Sequence, residues 1–420
     1  MNYQKINAKE YNLHLIDNNR FHTLEFSIIF TEEVNKEKIS YRNALISILT
    51  YATEKYDRPS KLMKKSYDLY SLYPKVSVSR YGNLMRTKFS ISIINSKYIS
   101  KENLLDNILF IKEIILNPLL DEKMFTKKYF DIVKHELQAE TLTIIEEPRL
   151  YANYSLLKNL SDTENYSLTG YTDLNILNKM TCKDLYNSYC EMLEKSKIDI
   201  FIAGNISNKQ EIIDCINENY IFNNKFKKLR NPIINHRLKR NNPKLIVEEK
   251  KYQQSKISIA FKCYQLTEFE NRYVLHLLNI ILGSSGNSLF MRNVREKNGL
   301  CYYIGTYYNR LDNLIILNSG INKENYDKTI ITIQEVIKKV QEGKLSNSDI
   351  KNAKKEYLCD IDNLKESNVN LIEYYYGMEV FKSDLLDTKI AMIKKITKDD
   401  IIEVAKKINL DTIFFLKGDL

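Results

Sequence analysis

Apolar and polar residues alternate through His22–Phe30 (HTLEFSIIF), a β-branched and aromatic stretch that predicts a strand. The period then lengthens. Glu37–Thr53 sets Ala44, Leu45, Ile48 and Leu49 on one helical face, and Ser60–Leu72 reads as a second helix. Lys75–Ser79 and Thr87–Ile94 predict two strands about a turn near Tyr81–Asn83. Helices are expected at Lys101–Leu116, Asp121–Thr141 and, behind Pro148, at Leu150–Leu160. Thr181, with Asp184 three residues on, is the expected N-cap of a further helix. Asp199–Ala203 (DIFIA) has the unbroken apolar character of a buried strand and stops at Gly204-Asn205.

The same order then recurs. Gln254–Phe261 predicts a strand, Asn271–Leu282 and Ser288–Lys297 helices, and Cys301–Asn318 a hairpin about Asp312-Asn313. Long helices follow from Asn322 to about Gln341 and from Ser346–Asp349 to about Leu364. Thr397 with Asp400 opens a last helix, and Thr412–Leu416 (TIFFL) ends at Gly418-Asp419. Thr181 to Thr397 is 216 residues and Gly204 to Gly418 is 214, so the chain reads as a duplication. PSKLMKKSYDLY near residue 60 aligns with GNSLFMRNVREK near 290, and ISKENLL near 100 with INKENYD near 321. The fold class that follows is α+β: two homologous domains, each a mostly antiparallel sheet with helices over one face.

Composition changes this picture little. At 420 residues with 44% apolar side chains, two domains of ordinary size can each bury a core. The formal charge of +10 is concentrated in residues 225–251, where ten Lys and Arg stand against Glu248 and Glu249. No aromatic or glycine pattern accompanies that run, so it reads as a solvated linker, and nucleic acid is not an expected partner. The expected domains are therefore 1–222 and 252–420, joined by a basic linker at 223–251. Six scattered cysteines without a Cys-x-x-Cys pair suit a reducing, cytoplasmic setting. The polar start MNYQKINAKEYNLH lacks a signal core, and no stretch is apolar enough to span a membrane.

The stretch Ile281–Ile321 carries the most specific pattern. It holds Gly283-x-x-Gly286-x-Ser288-Leu289-Phe290, then Val294-Arg295-Glu296-Lys297-x-Gly299-Leu300-x-Tyr302, then Gly320-Ile321 and Glu324-Asn325. This set resembles the second domain of the insulinase-like (pitrilysin) zinc peptidases and of the mitochondrial processing peptidase subunits. The resemblance, with the two-half plan, extends over almost the whole chain.

What the resemblance implies is specific. Active relatives carry His-x-x-Glu-His on the first long helix, where positions i and i+4 bring two imidazoles to one zinc and the glutamate handles the water proton. A distal glutamate is the third ligand. Here the corresponding helix, placed by Ala52-Thr53-Glu54-Lys55-Tyr56, reads YRNALISILTYAT over 41–53 and contains no His, Glu, Asp or Cys. The five histidines (His14, His22, His135, His236, His276) give no i, i+4 pair. His22-x-x-Glu25 is followed by Phe26, and His135-Glu136 reads either as a relic of the distal ligand or as an ordinary exposed pair. Alone, the chain is not expected to be a zinc peptidase, and it is expected to bind no metal.

The second-domain pair remains. In the family an Arg and a Tyr seven residues apart face the zinc across a cleft, and Arg295 and Tyr302 have that spacing. A guanidinium and a phenol so placed can hold peptide carbonyls and the oxyanion of their hydrolysis. The Gly283–Ser288 loop lacks a phosphate-binding follow-on and reads as a turn and N-cap, with a minor substrate contact as the family's alternative. The resemblance implies a substrate-binding subunit of a heterodimeric zinc peptidase, with zinc and His-x-x-Glu-His in a homologous partner and a peptide as substrate. The alternative is a scaffold or assembly protein that keeps only the fold.

Overall fold

The computed structural model describes residues 2–95, 97–160, 170–207, 209–226, 228–236 and 239–418. Lys227, Arg237 and Asp419 therefore lie outside the described residues. The first half opens with strands β1 (Asn2–Asn7), β2 (Asn12–Asp17) and β3 (Thr23–Glu33). Helices α1 (Lys36–Leu49) and α2 (Pro59–Asp68) lead to the hairpin β4 (Lys75–Tyr81) and β5 (Leu84–Ile94). Then come α3 (Lys101–Leu116), the two-residue strands β6 (Leu120–Asp121) and β7 (Met124–Phe125), α4 (Lys127–Glu146) and α5 (Pro148–Asn159). The half ends with α6 (Leu174–Lys179), α7 (Cys182–Lys195), β8 (Lys197–Gly204) and α8 (Lys209–Asn219).

The second half repeats the order. Strands β9 (Lys244–Lys250) and β10 (Ser255–Cys263) precede a helix over 270–284 whose middle is α9 (Leu275–Asn279), then a helical segment over 289–296. The hairpin β11 (Cys301–Asn309) and β12 (Leu314–Ile321) follows, then α10 (Tyr326–Gln341), α11 (Asn347–Leu364) and α12 (Asn368–Phe381). The chain closes with α13 (Leu386–Lys395), α14 (Lys398–Lys406) and β13 (Ile408–Gly418). The sheets run β1-β2-β8-β3-β5-β4 and β9-β13-β10-β12-β11, so strands two to six of the first match all five of the second. Each has one parallel junction, β2 with β8 and β9 with β13; the other junctions are antiparallel. The duplicated α+β plan is thus present in strand order and in strand direction.

The two expected capping boxes form as the spacing requires. Thr181 Oγ1 accepts from the Asp184 amide at 3.1 Å while the Asp184 carboxylate accepts from the Thr181 amide at 3.2 Å. Thr397 and Asp400 repeat this at 3.2 and 2.7 Å. Both satisfy donors that a helix start leaves unpaired.

Contacts divide the chain into two compact units, and these do not follow sequence order throughout. One unit takes residues up to Leu142, Gly170–Asn231 and Leu364–Ser383; the other takes α5, Pro232–Asn363 and the chain from Asp384. Each half therefore gives its fifth helix to the other unit: α12 packs on β8 and β3, and α5 on β13 and β10.

In the first unit one sheet face is apolar. Phe26, Ile28 and Phe30 of β3, Phe89 and Ile91 of β5, and Ile200 of β8 bury against the helices, each contributing about 1.5–3 kcal/mol. The opposite face is polar yet equally buried: Glu25, Ser27 and Thr31 of β3, Arg86 and Lys88 of β5, His14 of β2 and Asp199 of β8. Helix α12 covers it with matching groups. Glu373 takes Arg86 at 2.5 Å and Lys88 at 2.9 Å, while Glu379 takes Lys5 at 2.9 Å and Lys197 at 3.1 Å. Tyr376 pairs its hydroxyl with Thr31 at 3.0 Å, and Tyr375 stacks on Tyr3 at 4.1 Å. Burial alone would raise the Asp199 carboxyl, but the hydrogen bond with His14 and the charge of Lys197 hold it below its usual range.

In the second unit α5 does the same work with more apolar groups. Ala152, Leu156 and Leu160 pack on Ala260, Ile316, Phe414 and Leu416. Within that layer the fully buried Lys262 and Asp411 pair at 3.1 Å. Tyr151 donates to Glu248 at 2.7 Å, and the Lys250 ammonium sits 3.5 Å from its ring centre.

Several expectations change. Asp121–Thr141 is not helical from its start: α4 begins at Lys127, because Glu122 and Lys123 take φ of 45° and 61° in the β6–β7 turn. The Ser60–Leu72 helix stops at Asp68, before left-handed Tyr70 and Ser71. Part of the stretch read as a basic linker, Lys244–Lys250, is strand β9, whose Leu245-Ile246-Val247 core was masked by the lysines around it. Helices lie over one face of each sheet as expected, and a single exchanged helix occupies the other.

Removing Glu373 leaves Arg86 and Lys88 buried without their nearest counter-ion. A fully buried broken pair costs about 3–5 kcal/mol, and because Glu373 is 36% exposed the expected loss for Glu373→Ala is nearer 2–3 kcal/mol, read by urea denaturation. Glu25 gives a pH signature. Burial pushes its carboxyl up to about 7, against the opposing pull of Lys88, Lys75 and a Ser92 hydrogen bond. A folded-state value above the unfolded one means stability falls as pH rises from the usual carboxylate range through about 7. Glu25→Gln is expected to gain stability over the native chain at pH 8 and to flatten that dependence.

Candidate functional site

Arg295 and Tyr302 flank the corner where the helical segment at 289–296 enters the edge strand β11. Phe290 and Val294, both fully buried, anchor that segment to the core of the second unit. Its last turn is wide: the Lys297 amide bonds the Arg292 carbonyl, five residues back, at 3.0 Å. The Gly299 amide bonds the Arg295 carbonyl at 2.9 Å, and Gly299 leaves the helix at φ +62°. Arg295 is thereby turned outward and exposed, with one Nη 3.7 Å from the Met291 sulfur.

Tyr302 owes its direction to a β-bulge. Cys301 pairs with Ile321 and Tyr303 with Gly320, so Tyr302 is the extra residue of β11. Cys301 turns inward and Tyr303 lies across Gly320, where an added Cβ would stand 2.6 Å from the ring. Tyr302 is left 57% exposed, and its hydroxyl donates to Asn322 Oδ1 at 3.0 Å. Burial raises the Cys301 thiol, while a Ser319 hydrogen bond and the charge of Arg295 oppose the rise. The guanidinium therefore acts within electrostatic reach of the strand start that carries Tyr302. Asn322 was not legible as a partner from sequence; a polar residue just past Gly320-Ile321 was its only signal.

The glycine loop forms the expected turn. A Cβ on Gly283 would come within 2.5 Å of Thr306, so that glycine permits close helix–strand packing, whereas Gly286 faces open space. Ser285 Oγ accepts from the Asn287 amide at 3.3 Å, which closes the turn on itself.

The helix expected to carry metal ligands in an active relative is α1, and its groups do other work. Arg42 is completely buried, clamping Glu32 with Nε at 2.7 Å and Nη2 at 2.9 Å, while Nη1 reaches the Ser188 carbonyl at 2.9 Å. Ser47 Oγ donates to the Asn43 carbonyl at 3.0 Å, and the Asn43 amide donates to the Gly170 carbonyl at 2.7 Å. Glu136 on α4 is taken by the Tyr51 hydroxyl at 2.5 Å.

The histidines are spread over separate sites. His14 bonds Asp199, His22 bonds Tyr98, His236 meets the Asp312 carbonyl, and His276 is sandwiched by Tyr308 and Tyr357. Burial drives the His276 imidazole down to about 4, so it is a neutral core group. His135 is exposed. Among the described residues no three His, Cys, Asp or Glu are grouped to hold a metal ion. The donor set does not fit zinc.

The chain is similar to several known proteins. A sequence profile described as "Peptidase M16 inactive domain" matches residues 179–357. The Bacillus subtilis protein named "Probable inactive metalloprotease YmfF" is 23% identical over 409 residues, 96% of this chain and 95% of its own. A conserved protein from Enterococcus faecalis superposes with a TM-score of 0.91 at 25% identity, over 100% of this chain and 99% of its own. A peptidase M16 inactive domain from Pseudomonas fluorescens gives 0.79 at 16% identity, over 100% and 99%. At that identity the last likeness is one of fold. Among the described residues no helix is long and apolar enough to cross a membrane.

The purified chain is expected to retain no stoichiometric zinc after dialysis, measured by plasma mass spectrometry. One tightly held equivalent per chain would contradict the ligand assignment.

Proposed function

The chain belongs to the insulinase-like (M16) peptidase family as an inactive homologue, and from that premise we propose that it is the substrate-binding subunit of a heterodimeric zinc peptidase. A homologous partner with an intact His-x-x-Glu-His holds the zinc and does the metal chemistry. This chain binds the peptide. Arg295 and Tyr302 face the partner's site, the guanidinium gripping a substrate carbonyl and the phenol donating to the oxyanion of the tetrahedral intermediate. The observation that carries this reading is the exposed placement of both groups, Arg295 by a widened helix end and Tyr302 by a bulge, in a chain whose residues 41–53 include no His, Glu, Asp or Cys. Bulges and widened helical turns that re-aim a side chain occur preferentially at functional sites. All six cysteines are free thiols, which suits the reducing cytoplasm we assign to the pair.

The Tyr302–Asn322 hydrogen bond favours a second reading, a scaffold or assembly protein in which the phenol only braces the hairpin. One experiment separates the two. The chain is combined with a homologue carrying His-x-x-Glu-His, and peptide hydrolysis is followed. Tyr302→Phe is expected to lower kcat on the order of 10²-fold with little change in KM, and Arg295→Ala to raise KM. Unchanged turnover with Tyr302→Phe would leave the scaffold reading standing.

A further inference from the structure

Each sheet has two outer strands, and comparing the repeats shows that one of the four is anomalous. β4 and β11 are equivalent, and both are edges. β2 and β9 are also equivalent, each running parallel to the last strand of its half, β8 or β13. Yet β2 is not an edge: β1 pairs along its whole length, from Asn2 opposite Asp17 to Asn7 opposite Asn12. Among the described residues nothing takes that position beside β9. An open strand of seven residues presents a row of unpaired amides and carbonyls, the usual template for another strand.

The side chains of β9 are ordered for such pairing. Leu245 and Val247 stand on one face, 51% and 52% exposed. On the other face Lys244 reaches Asn159 at 3.3 Å, Glu248 accepts from Tyr151 at 2.7 Å, and Ile246 packs under α5. The strand is therefore anchored by its own unit, while among the described residues no strand pairs along its outer side.

We propose that two copies of this chain associate through β9, antiparallel, about a two-fold axis at Ile246. The strand is complementary to itself in that register. Leu245 faces Val247 of the second copy, and Val247 faces its Leu245, joining four exposed apolar side chains into one cluster. Lys244 stands opposite Glu248 of the second copy, twice. Cross-strand partners share a face, so the axis falls on a residue; centring on Leu245 would pair only Lys244 with Ile246 inside the strand, and the other neighbouring choice centres on Val247. That choice sets Lys244 against Lys250 and Leu245 against Glu249, and like charges directly opposite repel. The sequence of β9 selects Ile246.

An interface of one short edge falls below the ~1,600 Å² of a standard interface, so the expected dissociation constant is roughly micromolar. Sedimentation velocity on the full chain across that range at low salt is expected to show a concentration-dependent dimer. Lys244→Glu places two glutamates against each other and is expected to weaken it by about tenfold. Lys244→Glu with Glu248→Lys restores the opposite charges and is expected to recover the dimer. Val247→Lys, at an exposed position with little effect on folding, is expected to abolish it, with circular dichroism confirming the fold of each variant. A monomer throughout the range, a dimer indifferent to Val247→Lys, or a folded double variant that fails to recover would overturn the proposal.

Discussion

Everything in the first unit depends on a sheet face that is both charged and buried. Arg86, Lys88 and Asp199 could not stay out of water beneath an apolar cover, since a buried ion without a partner loses several kcal/mol of hydration. The cover has to bring countercharges at the right spacing. Glu373 and Glu379, six residues apart on α12, do so for two pairs of cations. The helix that satisfies this face comes from the other repeat. The duplication is therefore not two independent copies joined by a linker.

This explains which parts of the fold were legible in sequence. Caps such as Thr181-Asp184 and hairpins such as β11–β12 are local, and a few residues specify them. Helix α12 was invisible because it has no amphipathic period: Leu371, Ile372, Tyr374, Tyr375, Tyr376 and Gly377 are all buried. Its ion pairs with the sheet lie far away along the chain, from Lys197–Glu379 to Arg86–Glu373, 287 residues apart, and Lys5–Glu379, 374 apart. The alternation of β3 was read correctly as a strand, but its polar positions faced a helix instead of water. Strand β9 was hidden by the lysines that flank its apolar core.

The site was legible at a different level. The motif around Arg295 and Tyr302 gave their spacing of seven residues, across a helix end and a strand start. Spacing alone could not give direction. Tyr302 and Tyr303 are neighbours in sequence, and only the bulge decides that the first points out while the second lies over Gly320. Helix α1 was equally half-legible. The absence of His, Glu, Asp and Cys over 41–53 is read from letters, but the use of Arg42 as a buried clamp on Glu32 requires the fold.

The borrowed helix also sets a timetable for synthesis. Strand β8 completes the six-stranded sheet at Gly204, while α12 begins at Asn368, about 160 residues later. At 5–20 residues per second the ribosome takes roughly 10–30 s to deliver it. An apolar face left bare that long would be a target for aggregation and chaperones. A face of lysine, arginine, aspartate and glutamate stays hydrated in the interval, so the polarity that makes α12 indispensable in the finished protein also lets the nascent one wait for it.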